Sequence, residues 1–274
     1  MSVTENAVSV GGGMTDKIVI CVENGADREA AESLAKKIQA PLLEEPGEQL
    51  TVHFQKTGIS LSGFGLSYRG DFEGMLRRVT NGRLQHEMLV RAAKTTGQPG
   101  RAVDATAGMG EDSFLLAAYG YEVTLYEQNP VIAALLGDAM RRAKKQEQLR
   151  KIVERMKLVE GDSIEQLSKG REEAELVYLD PMFPARQKSG LINKKLQLIQ
   201  KLEAPCAEEE TLFDAALHAA TSKIVVKRPL KSAYLAGKKP NYVLNGKAIR
   251  YDCYACKSEK TVTEEWKRGS EWLG

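Results

Sequence analysis

Residues 103–112 read Val-Asp-Ala-Thr-Ala-Gly-Met-Gly-Glu-Asp, and this stretch decides the fold. A short apolar run ends in Asp104, a loop of small residues containing Gly108 and Gly110 follows, and a helix is predicted to begin at Glu111-Asp112. Strand, glycine turn and helix in this order build nucleotide clefts, because glycine lets backbone approach a ligand and a helix N-terminus presents N–H donors. Taken alone, the loop is equally compatible with a turn that merely joins a strand to a helix.

Downstream of this loop, strands and helices alternate. The predicted strands are 101–104, 121–127, 156–160, 174–180 and 223–227, and the predicted helices are 112–119, 130–145, 163–168, 191–202 and 212–220. Two more strands, 242–245 and 248–254, flank the turn Asn245-Gly246-Lys247. The pattern predicts an α/β fold with a mostly parallel, doubly wound sheet that closes in an antiparallel hairpin. Such sheets bind ligands at the carboxyl ends of their strands.

The chain is predicted to divide into three parts. Residues 1–13 contain three consecutive glycines and suggest a flexible leader, residues 14–80 form a small α+β unit, and residues 81–274 form the ligand-binding domain. A hairpin is expected within 50–66, and a helix over 84–94 leads into the glycine loop.

Composition excludes several classes of protein. The 274 residues are 42% hydrophobic and 28% charged with a net charge of +2, so any nucleic-acid-binding surface must be local. We find neither an apolar run of roughly 20 residues nor a secretory signal, and expect a cytoplasmic protein without membrane contact. Cys253 and Cys256 have a CxxC spacing, but their predicted strand would place the two thiols on opposite faces, which disfavours a metal or redox site.

Acids and amides follow the second and third strands of the predicted sheet. Glu127 lies 23 residues after Asp104 and ends the second strand, where a carboxylate can accept hydrogen bonds from both ribose hydroxyls of an adenosine ligand. Gln128 would lie beside the ribose or adenine. Asp162 and Ser163 follow the third strand and suit either contact with an adenine amino group or the N-cap of the next helix.

The most informative stretch is Asp180-Pro181-Met182-Phe183-Pro184, which follows the fourth strand. Two prolines make this loop stiff at a ligand-facing position. An exocyclic amine of a base is a poor nucleophile, because its lone pair is delocalised into the ring. The Asp180 carboxylate and the Pro181 carbonyl can accept its N–H groups, and Phe183 can stack on the base, so the loop indicates chemistry on such an amine.

Basic residues follow the fourth and fifth strands. Arg186 and Lys188 come after the proline loop, and Lys227 and Arg228 end the fifth strand. Because both groups are predicted at the ligand-binding edge of the sheet, we expect these four residues to contact RNA phosphates.

Four segments together resemble the RsmJ family, the bacterial small-subunit (16S) rRNA guanine-N2 methyltransferases of the Rossmann-like class I fold. They are Asp104–Asp112, the segment Tyr126-Glu-Gln-Asn-Pro-Val-Ile-Ala-Ala-Leu-Leu136, the segment Tyr178-Leu-Asp-Pro-Met-Phe-Pro184 with Gln187-Lys188-Ser189, and Val225-Val-Lys-Arg-Pro229. The resemblance covers residues from about 70 to 256, and the combination of segments is specific to this family.

The resemblance implies S-adenosyl-L-methionine as methyl donor and a guanine amino group of small-subunit rRNA, free or in the 30S subunit, as acceptor. It also implies that the donor site is lined by Glu111, Asp112, Glu127, Gln128, Asp162, Ser163 and Asp180. Two departures stand out, because the family commonly has Arg at position 111 and Ser at position 162, and this chain has Glu111 and Asp162.

We expect direct displacement, in which the protein places the amine in line with the activated methyl group and needs neither metal nor nucleophilic side chain. The alternatives are an NAD-dependent dehydrogenase and a non-catalytic RNA-binding protein. A dehydrogenase of this fold would have a third glycine at position 113, where this chain has Ser113, and a dehydrogenase function would not explain the proline loop.

Overall fold

The computed structural model describes residues 18–45, 49–80, 82–170, 173–182, 197–199, 201–202, 206 and 208–256. These form two compact units, one from the described residues of Met1–Arg69 and Arg186–Ala204, and the other from those of Gly70–Ala185 and Pro205–Gly274. The predicted leader lies outside the described residues, as does most of the helix predicted over 191–202. Within the described part of the chain, no helix has the length and apolarity to cross a membrane.

The first unit is a small α+β structure. Its elements are β1 (Val19–Val22), α1 (Arg28–Ile38), β2 (Leu42–Leu43), β3 (Thr51–Gln55), β4 (Gly58–Gly63) and β5 (Leu66–Tyr68). The sheet order is β2-β1-β3-β4-β5, with β1 parallel to both neighbours and an antiparallel β3–β4 hairpin at the predicted position. Helix α1 begins where the Asp27 side chain accepts the backbone N–H of Ala30 at 3.0 Å.

The second unit carries the predicted alternation of strands and helices. Its helices are α2 (Leu76–Val79), α3 (Met88–Ala93), α4 (Glu111–Tyr119), α5 (Pro130–Ala143), α6 (Glu147–Val153), α7 (Ser163–Ser168) and α8 (Glu209–Ala219). Its strands are β6 (Arg101–Asp104), β7 (Glu122–Glu127), β8 (Met156–Glu160), β9 (Ala174–Leu179), β10 (Ala220–Pro229), β11 (Tyr242–Asn245) and β12 (Ile249–Ala255).

These seven strands form one sheet in the order β11-β12-β10-β9-β6-β7-β8. Strands β10, β9, β6, β7 and β8 are parallel, and β12 is antiparallel to both β10 and β11. The register pairs Asp104 with Tyr178 and Glu127 with Glu160, so strands β9, β6, β7 and β8 end at the same side of the sheet. The predicted doubly wound sheet with its C-terminal antiparallel hairpin is confirmed.

Local capping explains where helix α5 begins. Asn129 Oδ1 accepts the N–H groups of Val131 at 3.0 Å and Ile132 at 3.3 Å, and Pro130 occupies the first helical position. Pro suits this position because the N–H that it lacks would have no intrahelical partner. The sequence therefore specifies this helix start locally, and the predicted N-cap is confirmed.

The segment 70–79 belongs to the second unit, although the sequence predicted a boundary at residue 80. Phe72 stacks on Phe114 of α4 with ring centroids 5.0 Å apart, and both rings are almost completely buried. Arg78 forms a two-point ion pair with Glu87 at 2.8 and 2.7 Å. Glu87 has an extended backbone, so the helix predicted over 84–94 is divided into a short 3₁₀ turn and α3.

The two cysteines of the CxxC motif lie on opposite faces of the sheet, as predicted. Both cysteines are free thiols. Cys253 is fully buried in the cluster that includes Phe114, whereas Cys256 packs against the cluster that includes Phe213 on the other face of the sheet.

Candidate functional site

The loop between β6 and α4 requires glycine at two positions. Gly108 has φ +53° and Gly110 has φ +73°, a left-handed region that other residues adopt at a cost of about 1–2 kcal/mol. A Cβ atom on Gly110 would also lie 2.8 Å from Leu136 Cδ1, and Leu136 is fully buried. Gly110 is the N-cap of α4 and has no side chain, so no side-chain cap occupies the first N–H groups of this helix.

Hydrogen bonds fasten this loop to the strands on both sides. Ala105 N–H donates to the Tyr178 carbonyl at 3.1 Å, and Ala107 N–H donates to the Tyr126 carbonyl at 3.0 Å. Thr106 Oγ1 accepts the backbone N–H of Asp180 at 2.6 Å. The glycine loop and the Asp180-Pro181 loop are therefore adjacent and held together.

Glu127 ends β7 beside the glycine loop. Its Oε2 atom accepts the N–H of Gly108 at 2.9 Å, its Oε1 atom accepts the N–H of Asn129 at 2.7 Å, and its side chain is mostly buried. Gln128, the next residue, is exposed. Because each carboxylate oxygen has more than one lone pair, Glu127 can accept further hydroxyl donors while its orientation stays fixed by backbone.

Asp104 is an interior group that shapes the loop. Its Oδ2 atom accepts the Ser113 hydroxyl, its Oδ1 atom accepts the N–H of Thr106 at 3.1 Å, and it is 1% exposed. Burial raises the pKa of Asp104 to about 7, although both hydrogen bonds act to lower it. The structure places Asp104 behind the loop, where it supports the backbone that faces the cleft.

We expect Asp104→Asn to change the pH dependence of stability. The pKa of about 7 in the folded protein exceeds the ordinary value of 3.8, so the folded protein holds an extra proton between these values. The resulting stabilisation is complete below about pH 4 and is lost as the pH rises through 7, at up to about 1.4 kcal/mol per pH unit. The free energies of unfolding of the wild type and Asp104→Asn, measured in urea from about pH 4 to 8, should differ by an amount that changes with pH at this slope. A difference that is constant with pH would contradict the prediction.

An ionic cluster joins α4, β9 and β10 at the same edge. Lys227 Nζ lies 2.8 Å from Asp112 Oδ2 and 2.8 Å from Asp180 Oδ2. The Tyr178 hydroxyl donates to the same Asp112 oxygen at 2.6 Å. Burial raises the pKa of Asp180, Asp112 raises it further, and Lys227 lowers it.

The prediction of phosphate contacts for Lys227 and Arg228 needs correction. The Lys227 ammonium group is bound by Asp112 and Asp180 within the site. Arg228 is 3% exposed, and its guanidinium donates to the Ala233 carbonyl at 3.0 Å and pairs with Glu209 at 3.2 Å. Because successive residues of a strand point to opposite faces of the sheet, Lys227 and Arg228 cannot both face one RNA-binding surface.

Asp162 is the N-cap of α7, where its Oδ1 atom accepts the N–H of Ile164 at 2.8 Å. This hydrogen bond confirms the N-cap interpretation for Asp162, which is exposed, whereas Ser163 is buried. Contact of either residue with adenine stays a prediction.

The structure brings together most of the predicted residues. Asp104, Gly108, Gly110 and Thr106 form one connected loop, and Glu127 and Asp180 are bound to it on opposite sides. Glu111 is exposed in the first turn of α4. Phe183, Arg186 and Lys188 lie outside the described residues.

Neither the connection of Lys227 to Asp112 and Asp180 nor the contact of Tyr178 with Asp112 was predicted from the sequence. One signal was available, because Lys227 is a charged residue directly after the apolar run Ile224–Val226 on a central strand. Such a position calls for an acidic partner near the strand's carboxyl end.

Comparisons with known proteins agree with this geometry. A family model described as "Putative SAM-dependent methyltransferase" matches residues 41–256. A relative named Ribosomal RNA small subunit methyltransferase J, from Alkalilimnicola ehrlichii, is 39% identical over 82% of this chain and 90% of its own length. The protein of the same name from Pseudomonas fluorescens is 38% identical over 84% of this chain and 91% of its own.

A solved structure is similar as well. The crystal structure of a SAM-dependent methyltransferase from Neisseria gonorrhoeae matches with a TM-score of 0.66 at 30% identity, covering 86% of this chain and 95% of that one. Because the family model spans residues 41–256 and the relatives match over about nine-tenths of their length, the chain belongs to the RsmJ family of S-adenosylmethionine-dependent methyltransferases.

Proposed function

We propose that this protein methylates the exocyclic N2 of a guanosine in small-subunit (16S) ribosomal RNA, with S-adenosyl-L-methionine as methyl donor. One observation carries the proposal: the glycine loop and the Asp180-Pro181 loop are joined by the hydrogen bond from Asp180 N–H to Thr106 Oγ1 at 2.6 Å. A donor on the first loop and an acceptor base against the second would therefore be neighbours. The names of the relatives supply the class of RNA.

The residues present fit the methyl donor. Gly108 and Gly110 have positive φ angles and no side chains, and no side-chain cap occupies the N-terminus of α4, which leaves room for a ligand to approach the backbone. We assign the ribose hydroxyls to Glu127, with Gln128 beside them, and the adenine edge to Asp162 and Ser163. Glu111, Asp112 and Asp180 complete the predicted lining. When bound, the donor supplies a methyl group that is already activated on a sulfonium.

We propose that the acceptor side makes the amine nucleophilic. The Asp180 carboxylate and the Pro181 carbonyl accept the two N–H groups and so localise the nitrogen lone pair, while Phe183 supplies a surface for the base. With the donor bound, N2 would gain the methyl group, the donor sulfur would keep the electrons of the broken carbon–sulfur bond as a neutral thioether, and the nitrogen would give up one proton. Asp180, whose pKa burial raises, can take that proton. The role of Asp180 is supported by its observed position, whereas those of Pro181 and Phe183 are proposed from the sequence, and Phe183 lies outside the described residues.

RNA contacts are proposed for Arg186 and Lys188, which follow the acceptor loop in the sequence. A ribosomal RNA substrate also leads us to propose a cytoplasmic location. A dehydrogenase is not favoured, because position 113, where a third glycine would be expected, is a buried serine bonded to Asp104.

We expect Glu127→Gln to weaken S-adenosylmethionine binding by roughly 10- to 100-fold, because a charge-assisted hydrogen bond contributes about 1.5–3 kcal/mol. The amide can still accept one of the two backbone N–H groups that hold the loop. Calorimetric titration gives the dissociation constants. Glu122→Gln is the matched control, since Glu122 begins the same strand and its side chain is 64% exposed. Equal affinities of the wild type and Glu127→Gln would remove Glu127 from the donor site.

The proposed function is tested with small ribosomal subunits from a strain that lacks its own enzyme of this family. Purified protein and labelled donor are incubated with intact subunits and, separately, with the free RNA, and the modified nucleotide is mapped. We expect one N2-methylguanosine in one of the two substrates. Absence of label from both, or label on another atom, would refute the proposal.

A further inference from the structure

Lys227 holds two carboxylates that come from different parts of the fold. Asp112 belongs to the first turn of α4, Asp180 follows β9, and Lys227 lies near the end of β10. The ammonium nitrogen is 2.8 Å from one oxygen of each, and the side chains are only 25%, 18% and 34% exposed for Lys227, Asp112 and Asp180. Charge-assisted hydrogen bonds this short and this shielded from water are considerably stronger than surface ion pairs.

The far end of this bridge is anchored in the core. The Tyr178 hydroxyl donates to Asp112 Oδ2 at 2.6 Å, and Tyr178 is 1% exposed. Burial raises the pKa of Tyr178 well above its ordinary value, so this phenol remains a hydrogen-bond donor. Asp112 therefore has two fixed donors, and its position in turn fixes the ammonium group that reaches Asp180.

Without Lys227, the surroundings of Asp180 would favour its protonated form. Asp112 on α4 brings negative charge, Asp104 on β6 brings it only as the pH rises through about 7, and the phenols of Tyr178 on β9 and Tyr251 on β12 bring no positive charge. Lys227 on β10 is the group that lowers the pKa of Asp180 against burial and against Asp112. Two carboxylates that share one site without a cation tend to hold one proton between them.

We propose that Lys227 is a positioning residue for methyl transfer, which keeps Asp180 ionised and oriented towards the acceptor amine while tying it to Asp112 at the donor end of the cleft. This inference rests on the proposed function, because it gives Lys227 a part in the handling of the amine. A protonated Asp180 could still accept one N–H group through its carbonyl oxygen, but it could not take up the proton that the amine releases. An Asp180 side chain in another rotamer would no longer face the acceptor amine.

The test compares three variants. Lys227→Gln keeps polar contact with both carboxylates but removes the charge, Lys227→Arg keeps the charge, and Lys223→Gln is the matched control. Lys223 lies four residues earlier on the same strand and donates to the backbone carbonyls of Ala92 and Lys94. Two measurements are made on each protein: the titration midpoint of the Asp180 carboxyl carbon by ¹³C NMR, assigned with Asp180→Asn, and the pH dependence of kcat on small-subunit RNA.

We expect the Asp180 midpoint of Lys227→Gln to rise by about one pH unit or more, because an opposite charge at this distance lowers a carboxyl pKa by about 1–3 units. The acidic limb of kcat should move with it, and kcat at neutral pH should fall roughly 10- to 100-fold with little change in KM. Lys227→Arg should restore most of both properties, and Lys223→Gln should resemble the wild type.

An unchanged midpoint in Lys227→Gln would overturn the inference, as would a kcat that falls equally at every pH. If Lys227→Gln does not fold, Asp112→Asn provides the second case: it leaves the ammonium group to Asp180 alone, so the midpoint must fall rather than rise. The NMR titration needs no RNA. A wild type that does not methylate the RNA would therefore refute the proposed function, while the midpoints would still decide whether Lys227 controls Asp180.

Discussion

Asp180→Ala is expected to abolish methyl transfer in a folded protein. Removal of the carboxylate takes away an acceptor for the amine and the group assigned to receive its proton. The loss of one preorganised hydrogen-bonding group from a transition state lowers kcat by roughly 10²–10³-fold, and the loss of both roles should exceed that. The measurement is single-turnover transfer to small-subunit RNA, with circular dichroism and S-adenosylmethionine affinity to show that fold and donor site survive.

Asp214→Ala is the matched control for this variant, because Asp214 is an exposed acid on α8 of the same unit. It should transfer at the wild-type rate. Asp180→Asn should retain more activity than Asp180→Ala, since an amide oxygen still accepts one N–H group. Normal turnover in Asp180→Ala would refute the role given to this carboxylate.

Phe72→Ala is expected to cause a large loss of stability. Phe72 is 2% exposed and stacks on Phe114, which is fully buried, with ring planes only 11° apart. Truncation of a buried phenylalanine removes its contacts and leaves a cavity, which together cost about 3–5 kcal/mol. Urea unfolding followed by circular dichroism gives the free energy of unfolding.

Leu217→Ala provides the comparison for Phe72→Ala, because Leu217 lies on α8 and is 45% exposed. Its effect should remain within about 0.5 kcal/mol. A loss below about 1 kcal/mol in Phe72→Ala would contradict the assignment of residues 70–79 to the core of the methyltransferase unit.

Local chemistry explains why much of the second unit was predictable. Helix α5 begins at Asn129-Pro130, where the Asn129 side chain accepts two free backbone N–H groups and Pro130 lacks a third. No distant residue is needed for this helix start. Gly108 and Gly110 lie where the backbone has a positive φ angle, and the preference of glycine for such angles is also a local property of the chain. Strand-end positions of Glu127 and Asp180 follow from hydrophobic runs, and parallel pairing carries both to one edge of the sheet.

Errors arose where distant residues decide the outcome. The segment 70–79 is short and mixes polar with apolar residues, so its sequence pattern does not separate it from the N-terminal unit. Its packing on Phe114 depends on a residue that is distant in the sequence and cannot be predicted from the local pattern. Glu87 fits a helix by local pattern, but in the structure its backbone is extended and its carboxylate pairs with Arg78, nine residues away. Arg228 reads as a surface cation, but Glu209 and the Ala233 carbonyl accept its donors in the interior.

By itself, the amino-acid sequence determined the parallel sheet, the glycine loop and the acids at the strand ends, because hydrophobic period, capping and φ preference act over a few residues. Tertiary structure alone decided that Lys227 joins Asp112 to Asp180 across three elements. The physical reason is that an ammonium group shielded from water is stable only beside a carboxylate. The fold supplies these carboxylates, because β10 lies beside β9 and so brings Lys227 close to Asp180.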